Sequence, residues 1–139
     1  MTCTHSVWLK GYWSAVLPYV AVGAAVLGIL QVEPLLAASA DVQQGKALFE
    51  QCTACHSLDA APSTGPSLKG VFGRTAGTRD DYRYSPAMQR SGIVWNAGTL
   101  DAYLADPQGV VKGTRMAFAG IADKAERAAL IAYLEQATQ

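Results

Sequence analysis

The chain has 139 residues, half of them hydrophobic, and its 11 basic and 11 acidic side chains give a formal net charge of zero. This length predicts one small domain. A balanced charge excludes the strongly basic surface on which binding to nucleic acid or to an anionic membrane depends, so we expect no nucleic-acid partner. The hydrophobic residues are unevenly distributed and are concentrated near the N terminus.

Residues 11–32 form an apolar run of 22 residues without Lys, Arg, Asp or Glu. The later Ala38-Ser39-Ala40 has the small-x-small pattern that signal peptidase cleaves, which predicts a leader over 1–40 and a mature chain over 41–139. The run is also long enough to span a hydrocarbon core of about 30 Å, so an uncleaved membrane anchor is the alternative. Both interpretations predict export to the periplasm, with membrane contact only if 11–32 are retained.

Residues 41–139 keep 10 basic and 10 acidic side chains and are therefore also neutral. A chain of 99 residues buries only part of its surface on folding, so a bound cofactor would supply part of the core. The first predicted element is a helix over 41–53, because its apolar residues recur on one face. Gly45 lies near that face, which indicates that another backbone approaches closely there, since glycine otherwise costs a helix about 1 kcal/mol. The apolar positions are Val42, Leu48, Phe49 and Cys52.

The sequence Cys52-Thr53-Ala54-Cys55-His56 follows directly. Two thiols three positions apart and an adjacent imidazole are typical of c-type haem attachment, in which the thiols of Cys52 and Cys55 bond to the porphyrin and His56 binds the iron. A structural zinc site would need four ligands, and the other Cys and His, Cys3 and His5, both lie in the predicted leader. A redox dithiol would expect a preceding β-strand, which the pattern does not indicate.

Glycines and prolines recur at short intervals over 57–84, which predicts loops. Ser85-Pro86 is typical of a helix start, and Gly92 predicts the end of that short helix. Thr99 is expected to cap a second short helix that Asp106-Pro107 ends. No stretch alternates long enough to predict a β-strand.

The mature chain contains two methionines, Met88 and Met116. Met88 lies in a predicted short helix and is interpreted as a core residue. Met116 lies in a segment flanked by Gly113 and Gly120. These glycines permit the tight backbone turn that points a side chain inward. We therefore consider Met116 a candidate ligand for the second axial position of the iron.

The last predicted element is a helix after Asp123, since Asp123 and Glu126 have capping-box spacing. Leu130, Tyr133 and Leu134 form its apolar stripe. We expect this C-terminal helix to cross the N-terminal helix at Gly45. The predicted fold is all-α, with three to five helices and long loops wrapped around one covalent haem.

With these motifs in place, residues 41–139 resemble the class I cytochromes c, in the small bacterial and mitochondrial-like branch. The family pattern Gly-Pro-x-Leu-x-Gly-x-x-Gly-Arg is matched here by residues 65–74. The resemblance implies that Pro66 offers its carbonyl oxygen to the His56 ring and that Arg74 holds a haem propionate. It also implies propionate contacts from Tyr84 and Trp95.

The same resemblance makes Met116 the distal iron ligand, with Thr114 close to it and Tyr103 beside the thioether. It further implies a one-electron carrier that alternates between ferrous and ferric haem and is not an enzyme. We expect a monomer that docks transiently with a donor and an acceptor redox protein of a respiratory or photosynthetic chain. Gln51 stands where mitochondrial members carry lysine, which departs from a lysine-rich docking face. Because residues 41–139 are neutral overall, we expect docking to depend only weakly on salt.

Two alternatives remain from the sequence alone. The chain could be a haem subunit docked permanently to a larger oxidoreductase. It could also be a catalytic or gas-binding haem protein, which would require an open sixth position on the iron.

Overall fold

The computed structural model describes residues 33–61 and 63–139 and, in that part of the chain, contains five α-helices. The compact unit that carries the fold comprises Ala38–Gln139. Among the described residues no β-strand forms, and an isolated antiparallel bridge pairs Thr75 with Val94. The prediction of an all-α fold is therefore confirmed. The helices are α1 (Glu33–Phe49), α2 (Pro86–Gln89), α3 (Ala97–Ala105), α4 (Pro107–Val110) and α5 (Lys124–Ala137), with a 3₁₀ turn at Glu50–Cys52.

The apolar run at 11–32 lies outside the described residues. The predicted leader or anchor over 1–40 therefore stays a prediction, as does the boundary at Asp41. Of the helices that the structure describes, none is long and apolar enough to cross a membrane.

The two terminal helices cross at Gly45, as the sequence predicts. A Cβ atom placed on Gly45 would lie 2.6 Å from the carbonyl carbon of Ala129 and 2.7 Å from the Cβ atom of Tyr133. The backbones of α1 and α5 are thus in direct contact, and any side chain at this position would force them apart. The rings of Phe49 and Tyr133, 5.7 Å apart between centroids, extend the same contact. This crossing fixes the direction in which α1 delivers Cys52 and Cys55.

Helix α2 begins as predicted, because the Ser85 hydroxyl accepts a hydrogen bond from the Met88 backbone N–H and Pro86 occupies the first helical position. The predicted cap of α3 was wrong. Asn96 is the N-cap residue, and its side chain accepts from the Thr99 N–H while the Thr99 hydroxyl accepts from the Asn96 N–H. Thr99 has the right chemistry but takes the third helical position, because Asn96 also caps well and lies three residues earlier.

The dipeptide Asp106-Pro107 ends α3 as predicted and also begins α4, a four-residue helix that the sequence analysis did not predict. The Asp106 carboxylate accepts from the Gly109 N–H at 2.9 Å and so serves as the N-cap. Asp123 caps α5 in the same way, accepting from the Glu126 N–H at 2.9 Å. Helix α3 contacts both α4 and α5.

An ion pair joins α3 to α5. The buried Arg127 guanidinium lies 2.7 Å from the Asp101 carboxylate and also donates to the carbonyl oxygens of Ile121 and Ala122. Those two carbonyls end the loop that follows α4. Arg127 therefore attaches the far end of this loop, which contains Met116, to both helices.

Candidate functional site

A cavity of about 350 Å³ lies inside the helices, a volume within the range of small-ligand sites. Its lining is mostly apolar and includes Leu68, Leu100, Leu104 and Leu130. All ten residues that the sequence analysis selected line this one cavity. They are Cys52, Cys55, His56, Pro66, Arg74, Tyr84, Trp95, Tyr103, Thr114 and Met116.

Both motif cysteines reach the cavity from the end of the 3₁₀ turn, where the His56 N–H donates to the Cys52 carbonyl oxygen at 2.9 Å. Burial raises the pKa of the Cys52 thiol, and the neighbouring Cys55 raises it further. A thiol with a raised pKa is mostly protonated at neutral pH, whereas redox dithiols depend on a lowered one. The environment of Cys52 therefore does not favour a redox dithiol.

The His56 ring is oriented by a backbone contact. Its Nδ1 atom lies 2.7 Å from the carbonyl oxygen of Pro66. A carbonyl oxygen can only accept, so Nδ1 carries the proton and the lone pair on Nε2 is free to bind a metal ion. The Gly65 N–H donates to the Cys55 carbonyl oxygen at 2.6 Å, which holds Pro66 opposite the ring.

A second polar group belongs to the segment that contains Met116. The buried hydroxyls of Tyr103 and Thr114 lie 3.0 Å apart, and the Met116 N–H points at the Thr114 hydroxyl oxygen at 3.4 Å. Burial raises the pKa of Tyr103, and the contact with Thr114 only partly opposes this, so the phenol stays protonated at neutral pH. The Trp95 ring packs 5.1 Å from that of Tyr103. These contacts fix the backbone just before Met116.

Arg74 places a cation at the cavity. Its guanidinium donates to the carbonyl oxygens of Lys69 at 2.7 Å and Ser67 at 3.2 Å, which leaves further N–H groups for a ligand. Burial lowers the pKa of Arg74, but an arginine stays charged. Burial raises the pKa of Tyr84, so its phenol remains a hydrogen-bond donor. Such donors suit an anionic group.

The donor set fits a haem. Two thiols, one imidazole and two thioethers share an apolar cavity, and within the described part of the chain no Asp or Glu lines it. Arg74, Arg115 and the Tyr84 hydroxyl would receive the negative propionates. A zinc site finds no support, since the described residues contain no group of three or more His, Cys, Asp or Glu side chains placed to bind a metal ion.

The cavity also contains residues that the sequence analysis did not select. Met88 is buried and lines it together with Met116, so two thioethers are available. Tyr82 and Gly65 line it as well. The sequence analysis placed Pro66 at the His56 ring but did not predict that Gly65 packs on it, because that contact joins residues nine positions apart.

Comparison with known proteins agrees with this geometry. The family model described as Cytochrome c matches residues 42–138. Cytochrome c2 iso-2 of Magnetospirillum fulvum is 49% identical over 88 residues, which cover 63% of this chain and 92% of that protein. Cytochrome c2 of Blastochloris viridis is 39% identical over 112 residues, which cover 79% and 88%. The solved structure of cytochrome cH from Methylobacterium extorquens matches with a TM-score of 0.66 and 41% identity, covering 68% of this chain and 97% of that one.

Fold and cavity together define an all-α protein built around one covalently attached haem. The chain belongs to the cytochrome c family, as a class I member close to the c2 and c-550 proteins. It is a monohaem electron carrier of the cytochrome c2 type and not an enzyme. The pair Cys52 and Cys55 implies that the cofactor is haem c.

Proposed function

We propose that His56 and Met116 are the two axial ligands of the haem iron and that the chain carries single electrons between a donor and an acceptor redox protein. The observation that supports this most is the sharing of one cavity by both side chains and by the thiols of Cys52 and Cys55. When bound, the haem supplies the chemistry by alternating between the ferrous and the ferric state.

Neighbouring groups hold each of the two axial residues in position. The hydrogen bond to the Pro66 carbonyl oxygen keeps the His56 ring in one orientation and makes Nε2 more basic. Met116 offers a soft thioether, which favours ferrous iron and raises the reduction potential. The Tyr103 and Thr114 hydroxyls hold the backbone of the Met116 segment.

The haem propionates, which are the anionic groups of the cofactor, would be bound by side chains that line the cavity. Arg74 and Tyr84 would bind a propionate with N–H and O–H groups that the surrounding protein leaves available. Trp95 is 8% exposed and would give its indole N–H to the same edge. Pairing these charges inside the protein avoids the cost of burying them alone.

Electrons would leave where the cavity reaches the surface. Cys55 and Ala117 both line the cavity and are exposed, so the thioether-linked edge of the haem would lie there. A redox protein that docks at this edge needs only a small contact area and a brief encounter. We propose transient docking of a monomer with each partner in turn.

The N-terminal segment supports a periplasmic location for the haem domain. The leader-like pattern over 1–40 supports export of the haem domain, residues 41–139, to the periplasm. Two outcomes remain, a cleaved leader or an anchor over 11–32. The mass of the native protein distinguishes them, since it reports at once whether residues 1–40 and the haem are present.

Axial ligation is tested by exchanging the two methionines separately. In the ferric holoprotein, Met116→Leu should abolish the weak red absorption band of iron–sulfur ligation, and the ferrous form should bind carbon monoxide rapidly. Met88→Leu is the matched control and should keep the band and exclude carbon monoxide. The reverse result would make Met88 the ligand. A parent protein without the band that binds carbon monoxide rapidly would contradict the carrier and favour a gas-binding or catalytic protein.

A further inference from the structure

The side chain of Gln108 holds the backbone just before Met116 in two places. Its amide NH₂ donates to the carbonyl oxygen of Thr114 at 3.1 Å, and its amide oxygen accepts from the Gly113 N–H at 3.3 Å. Gln108 belongs to α4, which the Asp106 cap fixes against the end of α3. One side chain thus connects a short helix to two successive residues of the loop.

Residues 113–115, just before Met116, form the N-terminal arm of the loop, and other hydrogen bonds hold this arm as well. The Arg115 guanidinium adds a hydrogen bond at 3.0 Å to the carbonyl oxygen of Arg83, and the Thr114 hydroxyl contacts Tyr103. On the other side of Met116, residues 117–120 make no hydrogen bond to any other described residue. The next hydrogen bond along the chain is at Ile121, whose N–H donates to the Leu104 carbonyl oxygen at 2.8 Å. Phe118 packs against the core in between. Met116 therefore stands between an arm held by hydrogen bonds and one held by packing, and the hydrogen bonds of Gln108 belong to the first.

We propose that Gln108 is a positioning residue that keeps Met116 on the haem iron. The proposal rests on the axial ligation proposed above and adds the group that maintains it. Glutamine suits this task because its amide is both donor and acceptor, whereas a carboxylate cannot donate and an ammonium cannot accept. Loss of the side chain would remove two of the hydrogen bonds that hold residues 113 and 114, so Met116 would leave the iron more often.

A ligand from solution reports how often Met116 is displaced. Imidazole binds ferric iron only while the sixth position is open, so its apparent affinity rises with the open fraction. Each hydrogen bond of Gln108 contributes a modest net amount, since the one to Thr114 is only partly buried and the one from Gly113 is exposed. We therefore expect Gln108→Ala to bind imidazole about fivefold more tightly than the parent.

The experiment titrates the ferric holoprotein with imidazole and follows loss of the iron–sulfur absorption band. Gln108→Lys keeps the donor to Thr114 and should fall between the parent and Gln108→Ala. Gln108→Glu sets a carboxylate against the Thr114 carbonyl oxygen and should bind imidazole at least as tightly as Gln108→Ala. Gln136→Ala, an exposed position on α5, is the matched control and should behave like the parent.

Unfolding of each variant by guanidinium, followed by circular dichroism, separates positioning from stability. A purely structural role would lower the unfolding midpoint of Gln108→Ala and leave its imidazole affinity unchanged, which would overturn the proposal. Equal imidazole affinity in the parent and all three Gln108 variants would overturn it as well. If the parent itself lacks the iron–sulfur band, the axial ligation is wrong, and that failure is visible before any variant is made.

Discussion

The Nδ1 atom of His56 lies 2.7 Å from the carbonyl oxygen of Pro66, and the residue directly before Pro66 is Gly65. A Cβ atom on Gly65 would lie 2.7 Å from the Cys55 carbonyl oxygen and 2.8 Å from Cε1 of His56. The backbone must therefore pass directly over the imidazole to deliver the Pro66 carbonyl. The orientation of the His56 ring therefore depends on the absence of a side chain at Gly65.

The first prediction concerns Gly65→Ala. The added methyl group meets a backbone carbonyl and a ring that has little freedom, so we expect a loss of about 1–3 kcal/mol in the free energy of unfolding. The reduction potential should shift as well, because the His56 ring must move relative to Pro66. Denaturation and a redox titration of the holoprotein measure the two effects.

Gly98→Ala is the control for this variant. Gly98 lies in the first turn of α3, where the nearest atom to an added Cβ would be the Asn96 Oδ1 at 3.4 Å. Alanine favours a helix over glycine, so stability should stay equal or rise. A parent-like stability and potential in Gly65→Ala would contradict the close packing at His56.

The second prediction concerns the helix crossing. Gly45→Ala introduces a methyl group against the Ala129 backbone, so α1 and α5 must separate and we expect a loss of about 2 kcal/mol. Chemical denaturation of the holoprotein measures it. Lys46→Ala changes the neighbouring exposed position and should stay within about 0.5 kcal/mol of the parent. Equal losses in both variants would show that the crossing is not the cause.

The third prediction concerns acid stability. The hydrogen bond from Arg127 lowers the pKa of Asp101 below its ordinary value in the folded protein. The folded state then holds fewer protons than the unfolded state, so the stabilisation is full above the unfolded pKa of about 3.9 and disappears as the pH falls through the lower folded value. Asp101→Asn removes this contribution.

Stability curves of the parent and of Asp101→Asn should therefore differ most above about pH 4 and converge in stronger acid. Denaturant titrations at several pH values would show the convergence. A difference that stays constant down to pH 2, or that grows in acid, would contradict the role of the ion pair.

The fourth prediction concerns docking. The exposed residues at the cavity include uncharged Gln51, Thr64 and Ala117, with Arg115 as the charged exception among those described. Electron self-exchange between two copies of the protein, measured by nuclear magnetic resonance, should therefore change little with salt. Ala117→Lys places like charges face to face and should slow self-exchange severalfold at low salt, with recovery on adding salt.

Gln136→Lys adds the same charge on α5, away from the cavity, and is the matched control. Its self-exchange rate should stay close to that of the parent at every salt concentration. A steep salt dependence in the parent, or an equal slowing in both variants, would contradict a weakly charged docking face around Ala117.

Local chemistry made several features predictable from the sequence. The Cys52–His56 motif needs only one turn of backbone, so its spacing is sufficient to indicate haem attachment. Ser85-Pro86 and Asp123 start helices through hydrogen bonds within three residues, which the sequence shows directly. The cap of α3 was misassigned because Asn96 and Thr99 cap reciprocally. Both residues are suitable N-caps, and the sequence does not show at which of them the helix begins.

Contacts between distant residues were decided by the tertiary structure. The sequence by itself determined the attachment of haem and the all-α class, since both depend on short-range spacing. It also indicated a close backbone approach at Gly45, because a side chain is absent there. Only the folded chain brings Met88 and Met116 into one cavity, seats Gly65 against His56 and lets Gln108 hold the arm before Met116. These contacts depend on the directions of α1, α3 and α5, which packing fixes and spacing along the chain does not contain.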